Sequence, residues 1–288
     1  MHYKKYKHIL QANGRLNLTR GCIHACIYCD SRSDCYQMNH DFTDIEIKED
    51  AAMMLDQELS RKKKKIMIKT GAMSDPFMDL EPVLKQTRAC FEVISKHGFP
   101  LSFQTKSDLF LKDLDLLEKI HKTSRLVVQM TITCMDDDLS LKIEPNVTST
   151  SARFEAIKIL RDLNIPVILW ISPLLPYIND DLDNLKAILN RSKELGVKGV
   201  IWYGAGLTLR RGNREYFYQQ LDRLYPGLKK KYIEEFGFRY HVMSKNNEEL
   251  TNYLHNFCEK FGIMYKEDEI WDYINYFDNR NPNQLSLF

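Results

Sequence analysis

Three cysteines stand close together near the start of the chain, within residues 21–30 (GCIHACIYCD). Cys22, Cys26 and Cys29 are separated by three and then two residues, and they follow a short extended run, Arg15–Thr19. Thiolates are soft ligands that suit iron–sulfur clusters and zinc. If each thiolate binds one iron of a four-iron cluster, the fourth iron can bind a small molecule through its amine and carboxylate. The spacing therefore predicts a [4Fe–4S] cluster that passes one electron to a ligand on its open iron.

The same thiols have two other possible roles. Cys35 follows closely and could complete a structural zinc site with the triplet. Zinc ribbons usually place C-x2-C pairs far apart, whereas these four thiols lie between positions 22 and 35. Cysteines can also be small buried hydrophobic residues, which is our interpretation of Cys90 and Cys258. We favour the cluster for the triplet.

The composition sets the broad class of protein. The chain has 288 residues, 44% hydrophobic and 28% charged, which predicts one large globular domain or a domain with an appendage. It lacks an apolar run of about eighteen residues, and residues 1–7 do not resemble a signal peptide. Seven cysteines, three of them clustered, suit a reducing compartment, so we expect a cytoplasmic protein. A net charge of +2 says little about partners.

Short apolar runs alternate with amphipathic helical patterns along most of the chain. Such near-continuous apolar runs are typical of strands buried on both faces of a parallel sheet. The predicted strands are Arg15–Thr19, Lys65–Thr70, Leu101–Thr105, Leu126–Thr133, Pro166–Ser172 and Gly199–Tyr203. The predicted helices between them are Glu46–Lys63, Pro82–His97, Leu114–His121, Thr150–Leu163 and Asp181–Leu195. Six strand–helix units predict an α/β fold and are too few for a closed eight-stranded barrel.

The rhythm changes near Gly204, and three parts are expected. Residues 1–209 would form the α/β unit, 210–278 a mainly helical extension, and 279–288 a flexible tail. The cysteine loop follows the first predicted strand. In barrels of parallel strands the chemistry lies at the carboxyl ends of the strands, so the loop falls where a site is expected.

The cysteine spacing and the six units together resemble the radical SAM superfamily, whose fold is an open, partial (β/α)6 barrel. The resemblance implies a [4Fe–4S] cluster on Cys22, Cys26 and Cys29, with S-adenosylmethionine (SAM) at the open iron. It also implies cleavage of SAM to methionine and a 5′-deoxyadenosyl radical, which abstracts hydrogen from a substrate. A reductant such as flavodoxin or ferredoxin would supply the electron.

Polar residues at the ends of predicted strands could hold SAM. After the second strand, Thr70 and Gly71 lead into Ser74 and Asp75. The glycine permits close backbone approach, so that carbonyl groups here could receive the amine of SAM. The alternative is an ordinary turn in which Ser74 or Asp75 caps the next helix.

The third and fourth strands add further candidates. Lys106 could pair with the carboxylate of SAM, or it could be a solvated loop lysine. Gln129 and Thr131 interrupt an apolar strand at alternate positions, so both would point into the barrel. They could bind ribose hydroxyls there, or they could satisfy one another in an internal network.

Three short motifs resemble the spore photoproduct lyase family more closely. They are Thr70–Pro76 (TGAMSDP), Thr105–Leu109 (TKSDL) and Ile143–Pro145 (IEP). That family splits a thymine–thymine adduct in DNA by radical chemistry. The resemblance implies that Ser74, Asp75 and Lys106 contact SAM, and that Tyr28 takes part in returning the hydrogen atom.

Two positions depart from that family. It has a cysteine hydrogen donor two residues before the Ser-Asp pair, where this chain has Ala72. It has a second tyrosine immediately after the third cluster cysteine, where this chain has Asp30. A lyase with these residues needs another route for hydrogen return, so we favour a relative with a different substrate.

The last five residues are similar to the bacterial sliding-clamp binding motif. Gln284, Leu285, Ser286, Leu287 and Phe288 would present three apolar side chains to a pocket on the clamp. Chain ends are often available for such docking, although the tail could instead fold back onto its own domain.

A basic segment at 210–231 contains interleaved aromatic residues, and it could contact nucleic acid or be a solvated helix face. We expect a radical SAM enzyme related to spore photoproduct lyase that repairs lesions in DNA. The alternatives are a radical SAM enzyme acting on RNA, a peptide or a metabolite, and a non-catalytic zinc-binding adaptor associated with the clamp.

Overall fold

The structure, a computed structural model, describes residues 1–278; the clamp-like motif at 284–288 lies outside this range. The strands are β1 (His2–Lys4), β2 (Thr19–Arg20), β3 (Glu46–Lys48), β4 (Ile68–Thr70), β5 (Leu101–Thr105), β6 (Leu126–Thr131), β7 (Val167–Trp170), β8 (Gly199–Ile201), β9 (Gly206–Thr208) and β10 (His241–Met243). The helices are α1 (Ala51–Ser60), α2 (Glu81–His97), α3 (Leu114–Thr123), α4 (Asp137–Ile143), α5 (Thr150–Asp162), α6 (Leu182–Glu194), α7 (Asn213–Leu224), α8 (Leu228–Phe236), α9 (Asn247–Phe261) and α10 (Glu267–Asn275).

A parallel sheet of five strands, β4 to β8 in sequential order, forms the centre of the fold. Alternate side chains of these strands, such as Phe103, Val128 and Leu169, are fully buried in the core that the outer helices share. Burying a side chain of this size stabilises the fold by about 1.5–3 kcal/mol. The open parallel sheet with helices on its outer face is a partial barrel, as the sequence predicts.

The first predicted strand, Arg15–Thr19, joins the sheet only briefly. Leu16 N–H donates to Lys69 O and Lys69 N–H donates to Gly14 O, both at 2.8 Å, which makes one parallel bridge beside β4. The chain then turns away, and β2 pairs antiparallel with β3, which pairs parallel with β1. The cysteine loop therefore leaves from a small three-stranded sheet at the edge of the barrel.

The predicted helix Glu46–Lys63 begins too early. Glu46–Lys48 is strand β3, all three of its residues are buried, and α1 starts only at Ala51. Because β3 lies between β1 and β2, pairing on both sides outweighs the local helical pattern.

The last two helices, α9 and α10, pack on opposite sides of the barrel wall. Helix α9 packs on α6, and α10 places Ile270 and Ile274 against Val127, Ile168 and Ile201 on the inner face of the sheet. Helix α10 thereby fills part of the concave side that an open barrel leaves uncovered.

Among residues 1–278, no helix combines the length and apolar character needed to cross a membrane.

Candidate cluster and cofactor site

The three triplet cysteines line one small cavity, of about 80 Å³, beside the ends of β4, β5 and β6. Cys22 and Cys26 are 8% and 6% exposed, and Cys29 is half-buried. Backbone bonds hold the loop at both ends, since Cys22 N–H donates to Phe42 O and Ile27 N–H to Ile143 O, each at 3.0 Å. The loop is therefore shaped by the fold before any ligand binds.

The electrostatics of this cavity suit a bound metal cluster. Burial raises the pKa of the Cys22 thiol to about 12, and burial raises the pKa of Cys26 as well. Thiolates at these positions consequently need a strongly bound cation beside them, since metal binding is what deprotonates such ligands.

The distances between the sulfur atoms distinguish a cluster site from a zinc site. Tetrahedral zinc, with Zn–S bonds of about 2.3 Å, holds its sulfurs about 3.8 Å apart. In the described part of the chain, the three sulfurs do not form a group in which all lie within 4.8 Å of one another. Cys35 is exposed, accepts a hydrogen bond from Arg210 at 3.2 Å and does not line the cavity. The donor set therefore fits a cluster that binds each sulfur through a different iron.

The loop after β4 meets the cysteine loop through Ser74. The Ser74 hydroxyl donates to Gly21 O at 2.6 Å and lies 2.7 Å from the Thr19 hydroxyl. Gly71 has φ +97°, and a Cβ there would stand 2.0 Å from Gln104 O, so the close packing of β4 against β5 requires glycine. Gly71 and Ser74 line the cluster cavity, and Thr70 lines the larger cavity next to it.

Asp75 is a buried anchor between strand ends. Its carboxylate accepts from Thr105 Oγ1 at 2.9 Å, Lys106 N–H at 2.8 Å and Phe77 N–H at 2.9 Å. His24 Nδ1 lies 3.5 Å away, and burial lowers the pKa of that imidazole. Asp75 lines the cluster cavity, but most of its hydrogen-bonding capacity is already used within the protein.

Lys106 is the one lysine or arginine among the described residues that line the cluster cavity. Burial opposes its charge, but the negative charges of Cys26, Glu144, Cys29 and Asp75 outweigh burial and raise its pKa. Its Nζ lies 5.8 Å from the centre of the Tyr28 ring, and the side chain lines the cluster cavity. A cation here is suited to a carboxylate ligand, which is the predicted role.

Gln129 and Thr131 point to the inner face of the sheet, as the alternation predicts. Thr131 lines the cluster cavity and Gln129 the larger one. The Gln129 amide is held between Ser102 Oγ and Trp170 Nε1, each at 2.8 Å. Its orientation is fixed, so it can present one defined edge to a ligand.

A second cavity, of about 860 Å³, opens directly beside the cluster cavity, with which it shares Ser31, Ala72, Met73 and Gln104. Among the described residues that line it, none is Asp or Glu. Its wall carries four cationic side chains, Arg15, Arg20, Lys48 and Lys69. It also carries five aromatic side chains, Tyr6, Tyr36, Trp170, Tyr203 and Trp271.

The aromatic wall is built from distant parts of the chain. The Trp170 ring lies 5.8 Å from that of Tyr203 and 6.4 Å from that of Trp271. Tyr203 is 51% exposed, so the cluster of rings is accessible at the mouth. Burial lowers the pKa of Lys48 and of Lys69, and a neighbouring arginine adds to this at each, Arg20 beside Lys48 and Arg15 beside Lys69.

Tyr28 lies behind the cysteine loop and lines neither cavity. Its hydroxyl donates to Glu144, whose other carboxylate oxygen accepts from Arg153 at 2.9 Å. Glu144 and Arg153 are both 0% exposed. The contact positions Tyr28 for a structural role, and its part in hydrogen transfer stays a prediction.

In the segment 210–231, three of the interleaved aromatic side chains pack inward. Phe217 is fully buried, and the rings of Tyr218 and Tyr225 pack against the same cluster of apolar side chains. Arg211 pairs with Asp34 at 3.0 Å. Phe217, Tyr218 and Tyr225 therefore pack α7 and α8 into the fold, and a nucleic-acid contact by the basic residues of this segment stays a prediction.

Sequence reasoning missed the cationic and aromatic wall of the large cavity. Trp170 and Tyr203 could have been found, because both lie among the last three residues of a predicted strand, near the carboxyl edge of the sheet. Trp271 could not, because its helix reaches the cavity only through long-range packing.

Comparison with known proteins agrees with this geometry. The model of the radical SAM superfamily matches residues 16–189. An uncharacterised protein of Methanocaldococcus jannaschii is 32% identical over 213 residues, which cover 73% of this chain and 76% of that protein. An uncharacterised protein of Mycobacterium tuberculosis is 28% identical over 225 residues. That match covers 76% of this chain and 66% of the mycobacterial protein, so the chain spans about two thirds of its length.

Among solved structures, spore photoproduct lyase with bound AdoMet and dinucleoside spore photoproduct superposes with a TM-score of 0.60. The match covers 86% of this chain and 74% of that one at 13% identity, so it shows a shared fold. Radical SAM proteins use a [4Fe–4S] cluster and SAM, and the buried thiols of this chain suit that cluster. The chain therefore belongs to the radical SAM superfamily, with a [4Fe–4S] cluster and SAM as its cofactors.

Proposed function

We propose that this protein is a radical SAM enzyme that acts on a nucleic acid, and that its reaction repairs a base lesion in DNA. The observation that carries the proposal is the large cavity, whose wall combines cationic and aromatic side chains and carries no carboxylate among its described residues. Cations neutralise phosphates, and aromatic rings stack on exposed bases. Peptides and small metabolites do not generally require both features over so large a surface.

The two adjoining cavities suggest how the residues divide the work. Cys22, Cys26 and Cys29 would hold the cluster, which when bound supplies the electron that cleaves SAM. Lys106 would pair with the carboxylate of SAM, and the backbone near Gly71 would receive its amine. Gln129, fixed by two hydrogen bonds, would meet polar groups of the cofactor or of a base.

The large cavity would orient the substrate. A lesion must leave the duplex stack to reach a buried reaction centre. Trp170, Tyr203 and Trp271 would stack on the extruded base, while Lys69 and Arg15 would hold the adjoining phosphates. The likeness to spore photoproduct lyase supports DNA as the nucleic acid, and the departures at Ala72 and Asp30 favour a lesion or a hydrogen-return route of its own.

Product analysis tests the reaction. The anaerobically reconstituted protein, reduced with dithionite, is incubated with SAM and UV-irradiated DNA, and 5′-deoxyadenosine and altered bases are measured by mass spectrometry. We expect 5′-deoxyadenosine above a Cys26→Ala control, and a DNA product that unirradiated DNA does not give. Activity on RNA or a peptide without any DNA product would overturn the DNA proposal.

Binding across salt concentrations tests the substrate cavity separately. We expect Lys69→Ala to reduce the salt slope of single-stranded DNA binding by about 0.7, the value of one phosphate contact. Trp271→Ala should weaken binding by about 1–3 kcal/mol with little dependence on sequence. Lys229→Ala is the matched control, because Lys229 lies on α8 and does not line the cavity. Its Nζ lies 2.6 Å from Asp222 Oδ2. Equal losses in all three variants would contradict the assignment.

We further propose that residues 284–288 bind the bacterial sliding clamp, which would bring the enzyme to replicated or repaired DNA. The support is the resemblance of QLSLF to the clamp-binding motif. Calorimetric titration of the clamp with the full chain and with a chain lacking residues 284–288 tests this. Equal binding by the two chains would refute it.

A further inference from the structure

A group of metal-binding side chains lies away from the cysteines, at the edge of the small sheet. His2, His40 and Asp44 each offer one ligand atom, and these atoms lie within 4.8 Å of one another. The two imidazole rings meet edge to face with their centres 4.9 Å apart. Beneath them lies Glu46, whose side chain is 1% exposed.

The hydrogen bonds of the two rings decide where their lone pairs point. His40 Nδ1 lies 2.9 Å from the backbone oxygen of Asp41, so this nitrogen must be the donor. His2 Nδ1 lies 2.9 Å from Asp44 Oδ2 and donates to that carboxylate. In neutral imidazoles the remaining Nε2 atoms then carry lone pairs, which is the arrangement that protein partners impose on metal-binding histidines.

Both lone pairs face a carboxylate oxygen. His2 Nε2 lies 3.6 Å and His40 Nε2 3.8 Å from Glu46 Oε2. His40 Nε2 is buried and lacks a hydrogen-bond partner among the described residues. Glu46 Oε2 already accepts from Lys4 Nζ at 3.0 Å, whereas none of the described residues donates to His40 Nε2. A cation bound between the two Nε2 atoms and this carboxylate would satisfy that buried lone pair.

We propose that His2 Nε2, His40 Nε2 and the Glu46 carboxylate form a binding site for a divalent transition-metal ion of the zinc class, with Asp44 holding the His2 ring through its Nδ1. Imidazole and carboxylate are ligands that zinc accepts at about 2.0–2.2 Å, which places neighbouring ligand atoms about 3.3–3.6 Å apart in a tetrahedron. The separations of 3.6 and 3.8 Å need only a small inward movement of the rings.

Other groups already contact these carboxylates but leave lone pairs available for the ion. Lys4 Nζ lies 3.0 Å from Glu46 Oε2, and the Tyr6 hydroxyl donates to the other oxygen. The Met1 amine lies 2.5 Å from Asp44 Oδ1. Since a carboxylate offers about four lone-pair positions, neither group is saturated by these contacts.

A metal ion at this site would stabilise the backbone next to the cysteine loop. It ties β1 and β3 to residues 40–44, and Phe42 O in that segment accepts the Cys22 N–H at 3.0 Å. Gly21 is packed against the same segment, because a Cβ there would stand 2.5 Å from Phe42 O. A metal bound at His40 would thus restrain the backbone that positions the first cluster ligand.

The test uses untagged protein that carries its iron–sulfur cluster, so that the cysteines cannot take up zinc. ZnCl2 is titrated anaerobically against a fluorescent zinc indicator, for the wild type, His40→Ala and the control His8→Ala. His8 has an 85% exposed side chain at a separate position. We expect one zinc per chain in the wild type and control, and at least a 100-fold weaker affinity in His40→Ala with its iron content unchanged.

Zinc K-edge absorption of the loaded protein gives a second readout. We expect nitrogen and oxygen neighbours, including imidazole, and no sulfur. Zinc surrounded by sulfur, or equal zinc binding by His40→Ala, would overturn the proposal. The absence of any zinc binding would overturn it as well. None of these outcomes depends on DNA or on SAM cleavage, so this site can fail while the proposed function stands.

Discussion

The buried Glu144–Arg153 pair offers the sharpest test of how the fold supports the cysteine loop. Glu144 accepts from Tyr28 and from Arg153, and Arg153 also donates to Thr131 O at 2.6 Å. These contacts join the cysteine loop to β6 and α5. The Glu144→Gln substitution keeps the shape of the side chain and removes its charge.

The magnitude follows from the burial of both partners. Removing one member of a buried ion pair leaves an uncompensated charge and costs about 3–5 kcal/mol. Unfolding entropy is about 2.1 cal/mol/K per residue, or roughly 0.6 kcal/mol/K for 288 residues. We therefore expect Glu144→Gln to lower the melting temperature by about 5–8 °C.

The assay is anaerobic thermal melting followed by circular dichroism, with cluster content held equal between samples. The matched comparison is the double variant Glu144→Leu with Arg153→Met, which removes both charges and should recover most of the loss. If Glu144→Gln melted within about 1 °C of the wild type, or the double variant were no better than the single one, the pair would not act as described.

The same pair predicts a dependence on pH. Burial raises the pKa of Glu144, but Arg153 and Lys106 outweigh burial and hold it below its ordinary value of 4.5. A carboxyl group with a lowered pKa in the folded state stabilises fully above the unfolded value, and this contribution is lost as the pH falls through the folded value. The gap between wild type and Glu144→Gln should therefore be full at pH 7 and shrink below about pH 4.5. A gap that widened with acid would contradict this sign.

Three further substitutions, and Cys35→Ala as the control for the first, probe the site. Cys29→Ala should lose iron from the reconstituted protein, whereas the exposed Cys35→Ala should keep it; equal iron in the two would refute the ligand set. Gly71→Ala should destabilise the fold by at least about 1–3 kcal/mol, because its φ is +97° and Gln104 O blocks a Cβ, as equilibrium unfolding would show. Tyr28→Phe should cleave SAM at the wild-type rate while melting about 3–5 °C lower, since it loses one hydrogen bond to a buried charge. A tenfold loss of 5′-deoxyadenosine in that variant would show that Tyr28 acts in the chemistry.

The parts of the site that sequence predicted are those that depend on local pattern. Parallel strands end at one edge of a sheet, so polar residues just past Thr70, Thr105 and Thr131 come together whatever the details of packing. The seven residues predicted to bind SAM accordingly line one of two adjoining cavities. Their contacts with SAM stay predictions.

The parts that sequence did not predict depend on long-range contacts. The local sequence pattern of Glu46–Lys48 predicts the start of a helix, but its pairing with β1 and β2 makes it a strand. Arg153 lies on a helix that resembles any amphipathic helix, and nothing local shows that its charge is fully buried against Glu144. Trp271 reaches the cavity because α10 packs inside the barrel, which no periodicity encodes.

The large cavity is lined both by residues inside the superfamily match and by residues outside it. The superfamily match covers residues 16–189, which include all three cluster cysteines and the residues predicted to hold SAM. Tyr203, Trp271 and Asn275 line the large cavity and lie beyond that match. Under the proposed function, these three side chains would contact the substrate together with residues of the shared part such as Lys69 and Trp170. Under the proposed function, the wall that α10 contributes is therefore expected to take part in substrate preference.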